Sequence, residues 1–159
     1  MMAVTIRKGN EKDIPSALRV IKELAAFELA PDEVEVSLEQ MLDWGFGKNK
    51  LFDFFVAEEE NSIVGIALYY YKYSTWKGKC IFLEDIIVTE SLRQQGIGQQ
   101  LFNEVLKLAK VEKVKRLEWQ VLNWNINAIH FYEKYKANLD NDWSNGRLTF
   151  EQIQGFNLH

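Results

Sequence analysis

Two stretches of the chain carry residues whose types and spacing could do chemistry. The first is the apolar run Cys80 to Val88, interrupted by the adjacent acids Glu84 and Asp85. An unpaired ionised carboxylate is costly inside a buried strand, so these two must be paired, exposed to a cleft, or used. Neighbouring strand residues point to opposite faces, and a β-bulge is one way to re-aim one of them; bulges gather near active sites. The second stretch is Arg93-Gln94-Gln95-Gly96-Ile97-Gly98-Gln99-Gln100-Leu101, between that strand and an amphipathic helix ending near Lys110. Glycine lets the backbone approach a ligand closely, and a helix N-terminus adds partial positive charge, which together suit an anion such as phosphate.

The glycine spacing has competitors. Loops between a strand and a helix also use glycine for turn geometry alone. A P-loop requires Lys-Ser or Lys-Thr after its last glycine, where this chain has Gln99-Gln100. A dinucleotide fingerprint requires glycine or alanine in place of Leu101, although Glu118 stands about 20 residues on, where a ribose-binding acid belongs.

The elements around these stretches follow from pattern and punctuation. Val4 to Lys8 reads as a strand, and Asn10 as the cap of a helix running to Phe27, with Glu28 continuing its apolar stripe. Ser37 begins a short helix stopped by Gly45 and Gly47; Phe52 to Glu58 and Ile63 to Tyr73 form an antiparallel hairpin. Arg116 to Leu122 reads as a strand, Asn123 to Asn127 as a turn offering a helix cap, and Asn145-Gly146 as a hairpin turn joining two last strands.

The 159 residues are expected to form one domain, 1–159, with a full core. Cys80, the single cysteine, reads as a buried thiol, and with only His130 and His159 no metal site is expected. The N-terminus shows no signal peptide and no run approaches a membrane span, so a soluble, cytoplasmic protein is expected. A net charge of −4 argues against nucleic acid and is compatible with a cationic substrate.

The order of elements and the motif Arg93-x-x-Gly96-x-Gly98 resemble the GCN5-related N-acetyltransferases over the whole chain. More narrowly, Ile21 to Glu28, Asp43-Trp44-Gly45-Phe46-Gly47, Leu83-Glu84-Asp85, Gly96-Ile97-Gly98, Trp124-Asn125 and Phe131-Tyr132 resemble the spermidine/spermine and thialysine acetyltransferase subgroup. The resemblance implies an α/β fold with a mixed, mostly antiparallel, splayed sheet flanked by helices. It implies acetyl-CoA as cosubstrate, held by the backbone of Ile86, Ile87 and Val88, by Gln94, Gln95, Gly96, Ile97, Gly98 and Gln99, and by Asn125, Ile126, Asn127 and Ala128. Tyr132 stands where the family has its general acid, and Glu84 where it has the group that deprotonates the amine. Phe27, Glu28, Ser74, Thr75, Trp76, Glu84 and Asp85 match substrate contacts, and a homodimer is implied.

Polyamine acetylators of the subgroup carry an acid and a proline where this chain has Ser74-Thr75, and a tyrosine where it has Phe27. The Ser-Thr pair resembles thialysine acetylators, so a lysine-like amine is expected first and spermidine or spermine second. A weak acetyl-CoA-binding sensor of the same fold is the competing class, and Glu84 and Tyr132 argue against it. Lys136 stands where many relatives end a helix with glycine, which questions the local turn.

Overall fold

The computed structural model describes residues 4–156; Met1 to Ala3 and Asn157 to His159 lie outside the described residues. The chain divides into two compact units, Met1–Gln120 and Val121–His159. The first runs β1 (Thr5–Lys8), α1 (Ile14–Phe27), α2 (Leu38–Phe46), β2 (Asp53–Glu59), β3 (Ser62–Ser74), β4 (Gly78–Val88), α3 (Ile97–Val111) and β5 (Leu117–Glu118). The sheet order is β1-β2-β3-β4-β5, antiparallel except for the parallel pair β4 and β5. This is the mixed, mostly antiparallel sheet expected.

Each face is closed by a helix whose start is fixed locally. Asn10 and Asp13 form a capping box before α1, with the Asp13 carboxylate accepting from Asn10 N at 2.8 Å. Arg7 then clamps Asp13 through two hydrogen bonds, of 2.7 and 2.9 Å, and reaches Glu58 on β2 with its Nε at 2.7 Å. From that anchor α1 lays Ile14, Ala17 and Val20 on a core of Met41, Phe54, Val56, Ile66, Leu68 and Ile87. On the opposite face α3 buries Ile97, Leu101, Phe102 and Val105, and Phe102 meets Trp119 edge-on at 5.6 Å. Cys80 is fully buried, as its apolar setting suggested.

The second unit contains α4 (Ile126–Glu133) and α5 (Phe150–Gly155). Asn125 caps α4 by accepting from Ala128 N at 3.2 Å, as its position suggested. Lys136 does adopt the left-handed backbone, φ 57°, of a helix-ending glycine. Two expectations fail. The strand expected over 116–122 is only Leu117–Glu118, and no strand follows it among the described residues. Instead of a hairpin about Asn145-Gly146, Thr149 opens α5 with a capping box: Gln152 Oε1 accepts from Thr149 N at 2.8 Å, and Thr149 Oγ1 from Gln152 N at 3.3 Å. A Thr-x-x-Gln signal outweighed a turn dipeptide that had no alternating strands beside it.

Gly65 sits where β3 is hemmed in by β4 and α3. A Cβ there would lie 2.7 Å from the Ile87 carbonyl oxygen and 3.2 Å from a Leu101 methyl. Because the first neighbour is backbone, it cannot swing aside. Gly65→Ala is expected to lower stability by about 1–3 kcal/mol, read as a fall in the urea midpoint at unchanged slope.

Candidate active site

The middle of β4 is irregular where its two acids stand. Leu68 opposes Asp85 while Tyr69 opposes Leu83, so Glu84 is the extra residue of a β-bulge. Leu83 and Ile87 stay buried on either side, Glu84 is exposed and Asp85 is half-buried. The bulge considered from sequence is therefore present, and it frees Glu84 from the alternation that would otherwise fix its face.

The surrounding groups sense these carboxylates. Burial pushes Asp85 from 3.8 up to about 6, and the charges of Glu84 and Glu28 add to the shift. Glu28, the residue closing the C-terminal end of α1, is also raised by burial. The Tyr70 hydroxyl is raised first by burial and then by the Glu84 carboxylate to which it donates. Three carboxylates thus converge where α1 ends over the bulge. A cation entering there would relieve their mutual repulsion.

The strand beyond the bulge offers backbone groups. Pairing of β4 with β5 covers only Ile81 with Leu117 and Phe82 with Glu118, so Leu83 to Val88, including Ile86, Ile87 and Val88, pairs with β3 alone among the described residues. This is the splayed edge expected. The chain then turns through Arg93 into a loop where Gln94 (φ 62°) and Gly96 (φ 82°) take left-handed conformations on either side of Gln95. Gly96 caps α3 with no side-chain bond, and a Cβ there would meet nothing within 4 Å. The first helical bond runs from Gln100 N to Gly96 O, so the N–H groups of Ile97, Gly98 and Gln99 have no intrahelical acceptor. The residues present fit a bound pyrophosphate.

One side chain ties the loop to the acids. Arg93 Nε donates to Val88 O at 3.0 Å, and its guanidinium lies 4.6 Å from the ring centre of Phe27, next to Glu28. In the sequence Arg93 is only a motif residue and Tyr70 one of several aromatics in a strand. Pairing register reveals the second, and nothing local in the sequence signals the first.

Other expected residues stand apart. Ser74, Thr75 and Trp76 form the tip of the β3–β4 hairpin, roughly five strand residues, or about 17 Å, from the bulge. Ser74 Oγ accepts from Trp76 N at 3.3 Å, Lys77 N at 3.2 Å and Arg116 Nη2 at 2.6 Å, and Trp76 is 86% exposed. Asn125, Ile126, Asn127 and Ala128 form the capped start of α4 in the second unit, and Tyr132, 4% exposed, lies near its end, with its ring edge-on to Phe131 at 5.0 Å. No cluster of His, Cys, Asp and Glu suited to a metal occurs among the described residues.

The raised Asp85 has a measurable consequence. Unfolded, the group ionises near 3.8; folded, it keeps its proton up to about pH 6. Between those values the folded state binds more protons, so this group's contribution to stability falls as pH rises and remains unfavourable above pH 6. Asp85→Asn is expected to leave stability nearly unchanged at pH 4 and to raise it at pH 7.5 by on the order of 1–3 kcal/mol, measured by urea unfolding at both pH values.

Comparison with known proteins agrees with this geometry. The family model described as "Acetyltransferase (GNAT) family" matches residues 18–136. A thialysine N-epsilon-acetyltransferase of Sus scrofa is 38% identical over 145 residues, covering 86% of this chain and 85% of that protein. Spermidine/spermine N(1)-acetyltransferase-like protein 1 of Homo sapiens is 32% identical, covering 96% of this chain but 22% of that protein. Among solved structures, an integron cassette protein from the mobile metagenome of V. cholerae superposes with a TM-score of 0.79 at 21% identity, covering 97% of each chain, which shows the shared fold. A bulged acidic strand with an open edge, a glycine loop opening a helix, and matches of this extent lead to one conclusion: the chain belongs to the GNAT acetyltransferase family.

Proposed function

We propose that this chain transfers acetyl from acetyl-CoA to the side-chain primary amine of a lysine-like amino acid such as thialysine, with spermidine and spermine as the alternative amines. The observation that carries the reading is the Glu84 bulge, which gathers Glu84, Asp85 and Glu28 around a point on β4 where the strand edge is open. The thialysine N-epsilon-acetyltransferase relative supports the choice of amine.

The residues divide the work as follows. A lysine-type amine has a pKa near 10.4, so only about one molecule in a thousand is neutral at pH 7.4 and a proton must leave before attack. Exposed Glu84 accepts that proton, directly or through water, while Asp85, Glu28 and the ring of Phe27 receive the approaching cation. When bound, acetyl-CoA supplies a thioester whose carbonyl carbon the neutral amine attacks, forming C–N and breaking C–S. Backbone groups of Ile86, Ile87 and Val88 orient and polarise the acyl group along the open edge. The N–H groups around Gln94, Gln95, Gly96, Ile97, Gly98 and Gln99 hold the pyrophosphate, and the start of α4 from Asn125 to Ala128 holds the cofactor further. Tyr132 donates its hydroxyl proton to the departing thiolate. No covalent enzyme intermediate is needed, so transfer is direct within a ternary complex. The reading takes residues 1–159 as one acetyltransferase domain and carries with it a cytoplasmic homodimer.

Release of coenzyme A thiol, followed with thialysine, lysine, spermidine, spermine and putrescine side by side, tests the assignment. Thialysine or lysine is expected to lead in kcat/KM by tenfold or more; a lead by spermidine would keep the transferase and replace the substrate. Tyr132→Phe is expected to lower kcat by about a hundredfold with coenzyme A affinity retained, and an unchanged kcat would remove Tyr132 from the role of acid.

A further inference from the structure

The sheet face that bears Tyr70 extends past the acids into a second charged group. Register sets Tyr70 beside Phe82, and Phe82 beside Glu118 on β5; one row toward the hairpin tip, Lys72 stands beside Cys80, with Arg116 just before β5. The rings of Tyr70 and Phe82 stack at 5.3 Å as an apolar floor. Lys72 Nζ lies 5.5 Å over the Phe82 ring and 3.5 Å from Glu118, and Arg116 Nη1 is also 3.5 Å from Glu118. Arg116 is steadied from behind by donating to Ser74 Oγ at 2.6 Å.

These contacts are loose. A charge-assisted hydrogen bond closes to about 2.7–2.9 Å, and the buried Glu118 Oε2 accepts no hydrogen bond at all. Two cations share one carboxylate, which leaves positive charge in excess. We infer that Arg116, Lys72 and Glu118 form a subsite for the α-amino-acid head of the amine substrate, with Arg116 and Lys72 taking the carboxylate and Glu118 the α-ammonium.

The spacing suits that occupant. Two strand residues separate the Phe82–Glu118 row from Glu84, about 7 Å. An extended lysine-like side chain holds its terminal amine about 6 Å from its α-carbon. Such a substrate lies along Phe82 with its methylenes or thioether on the aromatic floor, its head among the three charges and its reactive amine at Glu84. A diamine brings only another cation to a place already in cationic excess. The subsite therefore selects amino acids over polyamines, and it turns Ser74 from a direct substrate contact into the support for Arg116.

The inference rests on the amine-acetylating reading above, and a matched pair of substrates separates the two. Thialysine and its decarboxylated diamine differ only in the carboxylate. Arg116→Gln and, separately, Lys72→Gln are expected to raise KM for thialysine about tenfold or more at unchanged kcat. KM for the diamine should hold or fall in the same variants, which also reports that they are folded. If both substrates weaken equally, or if thialysine is unaffected, the subsite is wrong while the transferase stands. If the unaltered protein acetylates neither, both readings fall together.

Discussion

The structure depends on one constraint: β4 must pass through the middle of the sheet while carrying two carboxylates side by side. A regular strand would send one of them into each packed face, where an unpaired charge is costly. The bulge resolves this by adding one residue, so that Leu83 and Ile87 remain in the core while Glu84 reaches solvent. Its neighbours are arranged accordingly. Helix α1 ends at the same level with Glu28, and β5 leaves β4 after Phe82, before the bulge begins.

Two aspartates show how differently this sheet treats acids. Asp13 is buried at the foot of α1 and is held below the usual carboxylate range, chiefly by hydrogen bonds from Arg7. Asp85 has no such partner and is raised by burial, with like charges adding to the shift. The first joins β1, β2 and α1, and its energy goes into the fold. The second is left in an unfavourable state that a bound cation would relieve. A pKa raised by burial with no compensating cation is the pattern of a site, whereas a lowered one within an ion pair is the pattern of a strut.

Much of this could be read from the sequence because it arises from local rules. The capping residues Asn10 and Ser37, the apolar runs of β2 and β3 with a polar turn between them, the buried run of β4 and the glycine loop before α3 each carry their own signal. The bulge was open to inference because two adjacent acids in an apolar run have few other outlets. The C-terminal stretch differs from expectation because Asn145-Gly146 names a turn only when strands flank it, and Thr149 with Gln152 holds the stronger signal. The contact of Arg93 with Phe27 spans 66 positions of sequence, and the meeting of Lys72 with Glu118 spans 46. Such pairs follow from register, and one residue of bulge shifts every partner beyond it.

On the proposed reading, the parts of the fold that would hold the acyl donor differ in kind from those that would face the amine. The open edge of β4 and the loop at Gln94 to Gln99 would act through backbone groups, which any side chain of compatible shape can present. Lys72, Arg116 and Glu118 would act through side chains on the sheet surface, and both cations are exposed enough that replacing them opens no cavity. If so, preference among amines would be open to change at these positions without cost to the core. Charge also decides more sharply than shape there. On the proposed reading, two cations sharing one carboxylate would repel a polyamine ammonium brought among them, yet gain a direct contact from a carboxylate, and the two effects would act in the same direction.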